Sequence, residues 1–269
     1  FVCASNDHFD IAVNLDKDKE ACILLAEVSA NEKFGFSWSE NNHIIGLSAA
    51  ANKKILTGLF DDISKANSQS YQEEIFEICG FKFEKEPSIL EVDRAYGMKW
   101  KNGFGRDRKG KIIGLNTGCG KRWPTRLWPN ENWISLIGKL KEDGFTPVLL
   151  GGEEEHEANS KFSKKTGSVY PGYFSLKEFI AIINECDVIV TAVSMAMHIA
   201  SGLGKPLVLF NNIFNKYEFE LYGKGTIIEP VTGCDCYYGS VCMRENHCMN
   251  DIPVDVVLSK IKNTASNND

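Results

Sequence analysis

From residue 111 onward, short apolar runs alternate with amphipathic segments. Apolar runs that end in small residues predict buried strands, and an apolar period near 3.6 residues predicts helices. The predicted strands are 111–116, 147–152, 187–191 and 206–210. The predicted helices are 130–144, 153–165, 175–186 and 194–204. Because strands alternate with helices, the pattern predicts an α/β fold with a parallel sheet that helices cover on both faces.

The first part of the chain is less regular. Its pattern predicts strands at 9–16 and 33–37 and helices at 19–29 and 67–80. A polar, basic and glycine-containing stretch, 84–111, is the best candidate for a linker. We therefore predict domains at 1–95 and 111–269, joined by a linker at 96–110. Ser175 and Glu178 have the spacing of a capping box at the start of the helix 175–186.

Composition and charge narrow the class of protein. The chain has 269 residues and a net charge of −6, which gives no broad positive surface for nucleic acid. No apolar run approaches the roughly 20 residues of a membrane span. The scattered cysteines, without a secretion signal, favour the cytoplasm. The sequence opens at Phe1 in a pattern typical of the middle of a domain, so we expect a fragment or a trimmed chain.

The segment "NTGCGKRWPTRLWPNENW", residues 116–133, combines a small-residue turn with basic residues. A strand that runs into small residues lets backbone N–H groups approach a phosphate, although a plain tight turn is the simpler explanation. Arg126 lies between this turn and the next helix and could pair with a diphosphate in bidentate fashion. Lys121 and Arg122 are expected to be solvated charges.

A second candidate segment, "TAVSMAMHIASGLGKP", places a helix start at the carboxyl end of a predicted strand. Ligands of open α/β sheets bind at that edge. Ser194 would cap the helix, with hydroxyl capacity to spare. His198 lies one turn further, and it could face the same cleft or be a satisfied core histidine.

Four cysteines cluster near the C-terminus, namely Cys234, Cys236, Cys242 and Cys248. Four thiolates suit a tetrahedral structural site for zinc or iron, and two disulfides are the alternative. A metal there would stabilise a loop and take no part in chemistry. In the first part of the chain, Asp16 follows a predicted strand and could act as a general base, while helix capping by Asp16 or Asp18 is the alternative.

Taken together, "GLNTGCGKRWPTRLWPNENW", "VLLGG", "SLKEFIAIINECDVIVTAVSMAMHIASGLGKPLVLF" and "ELYGKG" resemble glycosyltransferase family 9, the ADP-heptose heptosyltransferases. The resemblance runs from about residue 9 to 264 and is dense from 111 to 223. It implies a GT-B fold of two Rossmann-like domains, with the nucleotide sugar on the C-terminal one and the acceptor on the N-terminal one. The late cysteines resemble a branch that includes heptosyltransferases acting on autotransporter proteins.

The resemblance also implies roles for particular residues. It places seven of them at the donor: Thr117, Gly118, Arg126, Glu155, Ser194, Met195 and His198. Arg126 stands where the family usually has a phosphate-binding lysine, and Glu155 matches a region near the ribose. Val193 departs from the family, which usually carries an aspartate there. The first strand of the family and its catalytic aspartate have no counterpart after Phe1, so the N-terminal domain is expected to be truncated.

The implied reaction transfers a heptose from an ADP-sugar to a hydroxyl of a lipopolysaccharide core or of a protein Ser/Thr. No D-x-D motif ends a predicted strand, so we predict no catalytic metal. No nucleic acid partner is expected, and peripheral contact with the inner membrane stays open. A non-catalytic nucleotide-sugar-binding remnant or assembly subunit is one alternative. Another GT-B enzyme, such as a nucleotide-sugar epimerase, is a further one.

Overall fold

The computed structural model describes residues 7–104 and 110–266. The chain divides into two compact units. Unit 1 contains the residues up to Glu86 together with Asn215–Glu220, and unit 2 contains Pro87–Phe214 and Leu221 onward. The division therefore falls between Glu86 and Pro87, whereas the sequence analysis places the end of the first domain at residue 95.

Unit 1 is a small α/β unit around a three-stranded sheet with the order β1-β2-β3. Its strands are β1 (His8–Asn14), β2 (Ser29–Trp38) and β3 (Ile44–Gly46). Its helices are α1 (Lys19–Glu27), α2 (Ala49–Leu59), α3 (Asp61–Ala66) and α4 (Tyr71–Ile78). β1 and β2 are parallel, while β3 is antiparallel to β2. The small core that holds this unit together contains Cys22, Phe36, Ala51 and Ile78.

Local capping explains where unit 1 differs from the prediction. The helix predicted at 67–80 begins only at Tyr71, because the Ser70 hydroxyl accepts the backbone N–H of Glu73 and caps it. Helix α2 was not predicted, although Ser48 caps it by accepting the N–H of Ala51 at 3.1 Å. The predicted helix 19–29 stops at Glu27, and Ser29 already starts β2.

Unit 2 is built on five parallel strands in the order β5-β4-β6-β7-β8. These strands are β4 (Ile112–Asn116), β5 (Thr146–Leu150), β6 (Val188–Ala192), β7 (Leu207–Phe210) and β8 (Gly225–Ile228). The helices are α5 (Arg94–Gly103), α6 (Asn130–Glu142), α7 (His156–Thr166), α8 (Leu176–Asn184), α9 (Met195–Gly202) and α10 (Val254–Ser266). Every residue of β4, β6 and β7 is buried, as expected for a parallel sheet covered on both faces.

The strand order has a direct consequence for function. The chain leaves β4 for β5 on one side of the sheet and then returns to β6 on the other side. At such a reversal the two connections diverge and open a crevice outside the carboxyl ends of the central strands. The sheet therefore places the residues after β4 and β6 around one crevice.

All four strands and all four helices predicted after residue 111 are present, with ends shifted by a few residues. The structure adds β8, α5 and α10, which were not predicted. Helix α5 occupies much of the predicted linker 96–110, because Asp93 caps it through the N–H groups of Ala95 and Tyr96. Residues 105–109 of that linker lie outside the described residues.

The capping box predicted at the start of α8 is wrong. Ser175 is the N-cap residue but makes no side-chain cap bond. The Glu178 carboxylate instead accepts hydrogen bonds from the Lys99 ammonium and from Trp100 Nε1, the latter at 3.0 Å. A hydrogen bond from a charged donor stabilises a nearly buried carboxylate more than one from a backbone N–H does. Glu178 therefore bonds to Lys99 and not to the start of its own helix.

The segment 116–133 contains two Trp-Pro pairs, Trp123-Pro124 and Trp128-Pro129, and their tryptophans differ in burial. Trp128 is 3% exposed and packs edge-to-face on Trp133, with ring centroids 5.0 Å apart. Its indole Nε1 donates to the carbonyl of Ile252 at 3.1 Å. Trp128 therefore anchors the start of α6 in the core of unit 2, while Trp123 remains in the loop that precedes it.

Two glycines of unit 2 provide a matched test of this packing. A Cβ atom at Gly114 in β4 would lie 2.7 Å from Ile189 Cδ1 and 2.9 Å from Cys186 Sγ, whereas one at Gly138 in α6 would meet nothing within 4 Å. Gly114→Ala should lower the free energy of unfolding by about 1–3 kcal/mol because it overpacks the core. Gly138→Ala should raise the free energy of unfolding by up to about 1 kcal/mol. Urea unfolding monitored by circular dichroism measures both, and equal effects would contradict the packing described.

Candidate donor site

The carboxyl ends of β4 and β6 are joined by one buried amide. Asn116, the last residue of β4, is 7% exposed. Its Nδ2 donates to the Gly118 carbonyl at 2.8 Å, to Thr191 Oγ1 at 3.0 Å and to Ser194 Oγ at 3.3 Å. Asn116 therefore fixes the turn after β4 against the turn after β6. Sequence analysis missed Asn116 and Thr191, and the available signal was a polar residue at the end of each buried strand.

Ser194 precedes α9 but does not cap it with its side chain. Its hydroxyl bonds to Thr191 Oγ1 at 3.0 Å and to Asn116, and it makes no bond to the first N–H groups of the helix. The uncapped N–H groups carry the positive end of the helix dipole and point out of the carboxyl edge of the sheet. An anion is the ligand best suited to this helix start.

Gly118 is required by the close approach of Glu155. A Cβ atom at Gly118 would lie 2.0 Å from Glu155 Oε1. The other carboxylate oxygen of Glu155 accepts the Gly152 N–H at 2.9 Å, which holds the side chain against the turn. A carboxylate accepts hydrogen bonds from hydroxyl groups, and its negative charge repels phosphates. This edge of the site therefore suits a sugar hydroxyl better than a diphosphate.

The Thr117 hydroxyl is already engaged by the protein. It donates to Asn159 Oδ1 at 2.6 Å, and Asn159 Nδ2 donates to the carbonyl of Leu150 at 3.0 Å. Asn159 is completely buried, so these bonds tie the turn after β4 to the end of β5. Thr117 can therefore serve a ligand through its backbone, and its side chain has a structural role.

Arg126 is a buried cation held by neutral groups. The residue is 6% exposed; Nε donates to the Trp123 carbonyl at 3.1 Å, and Nη2 donates to the Cys119 carbonyl. The guanidinium carbon lies 5.4 Å from the Trp123 ring centroid and 5.6 Å from that of Phe214. Burial lowers the pKa of Arg126, but an arginine stays protonated in proteins.

No carboxylate compensates this charge within the described part of the chain. Residues 7–104 and 110–266 provide no ion pair for Arg126, and its Nη1 makes no hydrogen bond to them. A buried charge without a counter-ion is costly, since desolvation is not repaid by attraction. The arrangement therefore favours an anion that comes from outside the chain. Lys121 and Arg122 are exposed by comparison, the former paired with Glu154 at 3.1 Å.

The first turns of α9 carry the other predicted residues. Met195 is 61% exposed, and His198 is also exposed, which does not fit a core histidine. The surrounding protein nevertheless lowers the pKa of His198 by desolvation, so the imidazole is mostly neutral at neutral pH. Val193, 8% exposed, packs into the core and offers no polar atom from its side chain.

Asp16 belongs to unit 1 and follows β1. It is exposed, and its Oδ1 accepts the N–H of Asp18 at 3.1 Å. Its carbonyl accepts the side-chain amide of Asn14 at 2.9 Å. The carboxylate thus orders the turn that precedes α1 but caps no helical N–H, and Asp18, the N-cap residue, makes no side-chain cap bond either, so the capping alternative is wrong. The catalytic role of Asp16 stays a prediction.

The late cysteines are free and lie next to one another. The Cys234 thiol lies beside that of Cys248, and the Cys236 thiol lies beside those of Cys242 and Cys234. The N–H of Cys236 also donates to Cys234 Sγ at 3.4 Å. Burial, together with the adjacent Cys248 thiol, raises the pKa of Cys234 to about 12. Residues 7–104 and 110–266 contain no group of three or more His, Cys, Asp or Glu side chains placed to hold a metal ion.

Among the described residues, no helix combines the length and the apolar character needed to cross a membrane.

Comparison with known proteins places this architecture in a family. The model of "Glycosyltransferase family 9 (heptosyltransferase)" matches residues 5–219. Lipopolysaccharide heptosyltransferase 2 of Escherichia coli K12 is 27% identical over 153 residues, which cover 54% of this chain and 43% of that protein. The chain thus spans less than half of the curated relatives that it matches.

Solved structures show the same fold. A glycosyltransferase family 9 protein from Veillonella parvula superimposes with a TM-score of 0.71 at 18% identity, over 96% of this chain and 74% of that one. The iron-containing heptosyltransferase TibC of enterotoxigenic E. coli, solved with ADP-D-β-D-heptose, gives a TM-score of 0.53 at 12% identity, over 90% and 60%. The predicted α/β fold class of GT-B type is thereby confirmed. With the family model matching most of its length, the chain belongs to glycosyltransferase family 9, the heptosyltransferase family.

Proposed function

We propose that this protein binds ADP-heptose at the crevice between the ends of β4 and β6 and transfers the heptose to an acceptor hydroxyl. Family membership supports the chemistry, and TibC is a heptosyltransferase solved with that kind of donor. The observation that carries the proposal is the buried Arg126 guanidinium, which lacks a carboxylate partner among the described residues.

The diphosphate would lie between the start of α9 and Arg126. Both groups are positive and fixed before the ligand arrives, so they would stabilise the charge that grows on the leaving ADP as the sugar–phosphate bond breaks. Gly118 makes room for Glu155, which would accept a hydrogen bond from a ribose hydroxyl. The positive groups of the chain serve the diphosphate without a catalytic metal.

In the complete step, an acceptor oxygen loses its proton to a base and forms the new glycosidic bond, while ADP leaves with the bonding electrons. The acceptor is a lipopolysaccharide core sugar or a protein Ser/Thr. The free thiols of the described cysteines fit a reducing compartment, so we place the reaction in the cytoplasm.

Val193 favours an alternative function, that of a binding protein without catalytic activity. Its buried, apolar side chain cannot accept a hydrogen bond from the sugar. A chain that holds the nucleotide but not the heptose would be a non-catalytic binding subunit. Binding of ADP without release of ADP from ADP-heptose, in the presence of either acceptor class, would select this alternative.

The cysteine cluster supports a further part of the proposal. Cys234, Cys236, Cys242 and Cys248 would hold a structural zinc or iron ion, since four soft sulfur donors within one loop suit such ions. TibC is an iron-containing member of the same fold. Cys234 neighbours Cys248 and Cys236, and Cys236 neighbours Cys242, so the four thiols belong to one connected cluster. The metal would stabilise the loop.

Replacement of Arg126 tests the donor site. ADP should raise the melting temperature of the intact protein, and Arg126→Ala should weaken ADP binding by at least about tenfold, because the buried charge is lost. Arg122→Ala, an exposed arginine of the same loop, is the matched control and should keep most of the affinity. Thermal shift and isothermal titration measure these effects. An intact protein that shows no response to ADP contradicts the donor site.

The role of Asp16 needs a separate assay. If Asp16 is the general base, Asp16→Asn should slow the release of ADP from ADP-heptose by about 100-fold or more, with a lipopolysaccharide core as acceptor. The affinity for ADP should not change, since Asp16 would act on the acceptor. Transfer at an undiminished rate would remove Asp16 from the mechanism.

Elemental analysis tests the cysteine cluster. Protein purified under reducing conditions should contain about one zinc or iron per chain, and Cys234→Ser together with Cys248→Ser should abolish it. Cys79→Ser in unit 1 is the control and should retain the metal. Because the pKa of Cys234 is raised to about 12, binding must displace thiol protons, so metal affinity should increase with pH. Wild-type protein without metal would exclude the site.

A further inference from the structure

The cysteine loop, residues 234–248, is attached to the loop that carries Arg126. Trp123 Nε1 donates to the Tyr238 carbonyl at 3.1 Å, and Thr125 Oγ1 donates to the Gly239 carbonyl at 2.8 Å. Thr125 is 5% exposed, so its hydrogen bond is shielded from water. Both acceptors are backbone atoms two or three residues beyond Cys236. The position of the cysteine backbone therefore determines where these two bonds can form.

One side chain touches both loops. Asn212, just after β7, donates from Nδ2 to the Thr125 carbonyl at 2.7 Å and to Cys248 Sγ at 3.5 Å. Cys248 is 1% exposed and lies beside Cys234. If the Cys248 sulfur changed its bonding partner, the Asn212 side-chain amide would shift, and the hydrogen bond of that amide to the Thr125 carbonyl would change with it.

Aromatic packing continues the connection to the cation. The Trp123, Phe214 and Tyr238 rings pack edge-to-face, with centroids 5.3 Å apart for Trp123 and Phe214 and 4.9 Å apart for Phe214 and Tyr238. Arg126 lies over two of these rings and donates to the Trp123 carbonyl. The place of the guanidinium thus depends on the place of Trp123.

We propose that the cysteine loop is a positioning element of the donor site and that Thr125 is the positioning residue that connects them. The inference rests on the proposed donor site. The loop holds Trp123 and Thr125, and these hold Arg126 where its Nη1 can reach a diphosphate. The four cysteines fix the course of the loop backbone. The affinity for the nucleotide therefore depends on whether these cysteines are metal ligands, free thiols or disulfides.

The alternative is that the contacts contribute to stability and leave the donor site unchanged. Thr125→Val distinguishes the two, since it keeps the volume of the side chain and removes the donor to Gly239. Thr125→Ser retains the hydroxyl and should rescue binding. Asn250→Ala is a control two residues beyond the loop, because among the described residues this exposed side chain bonds to Asn246 alone.

The experiment is isothermal titration with ADP, alongside melting temperatures. Thr125→Val should raise the Kd for ADP by about tenfold, whereas Thr125→Ser and Asn250→Ala should stay within about twofold of wild type. Cys234→Ser should also raise the Kd, and its effect should be smaller in the Thr125→Val background, because both changes act on one connection.

Each outcome decides the matter. Wild-type protein that fails to bind ADP overturns the donor site, and with it this inference. Wild-type protein that binds ADP while Thr125→Val binds equally well, even with a lower melting temperature, overturns the positioning role and leaves the donor site standing. If Thr125→Val does not fold, Trp123→Phe keeps the aromatic packing, removes the bond to Tyr238 and should give the same rise in Kd. An unchanged Kd in that variant overturns the inference as well.

Discussion

The buried guanidinium of Arg126 is the constraint around which the donor-side loops are arranged. A charge that is 6% exposed loses most of its hydration, and the described residues return two carbonyl bonds and two aromatic faces. Neutral partners of this kind keep an arginine in place but do not neutralise it. The protein thus maintains a desolvated positive charge, which is the condition under which an anionic ligand is bound most strongly.

The strand order of unit 2 determines where such a ligand can lie. The reversal between β4 and β6 opens the crevice, and Asn116 fixes its two sides through Gly118, Thr191 and Ser194. Because the Ser194 hydroxyl is used for this connection, the start of α9 keeps its N–H groups for a ligand. The same few atoms therefore order the two turns and leave the start of α9 to the proposed ligand.

The parts of the fold that the sequence predicts are those in which burial leaves a local pattern. β4, β6 and β7 are buried on both faces, so their apolar runs are continuous and easy to recognise. β8 is short and only partly buried, so it leaves no such run. Helices α2 and α3 follow a weak pattern in a small unit whose core cluster has four fully buried residues among those described.

The site was predictable to the extent that its residues follow strand ends. Gly118 and Ser194 could be proposed because a small-residue turn and a helix start follow predicted strands, although the Ser194 hydroxyl makes no cap bond. The bonds of Arg126 to carbonyls and rings were not predictable, because they join positions that only the folded loop brings together. The pairing of Cys234 with Cys248, and the attachment of their loop to Thr125, are likewise long-range contacts. A local pattern carries no information about them.

The most direct test of the central claim is a crystal structure of the protein with ADP. The account predicts that the diphosphate lies at the carboxyl ends of β4 and β6, with its oxygens about 3 Å from Arg126 Nη1 and from the first N–H groups of α9. The adenosine ribose should approach Glu155. A diphosphate bound elsewhere, or no bound ADP at millimolar concentration, would contradict the account.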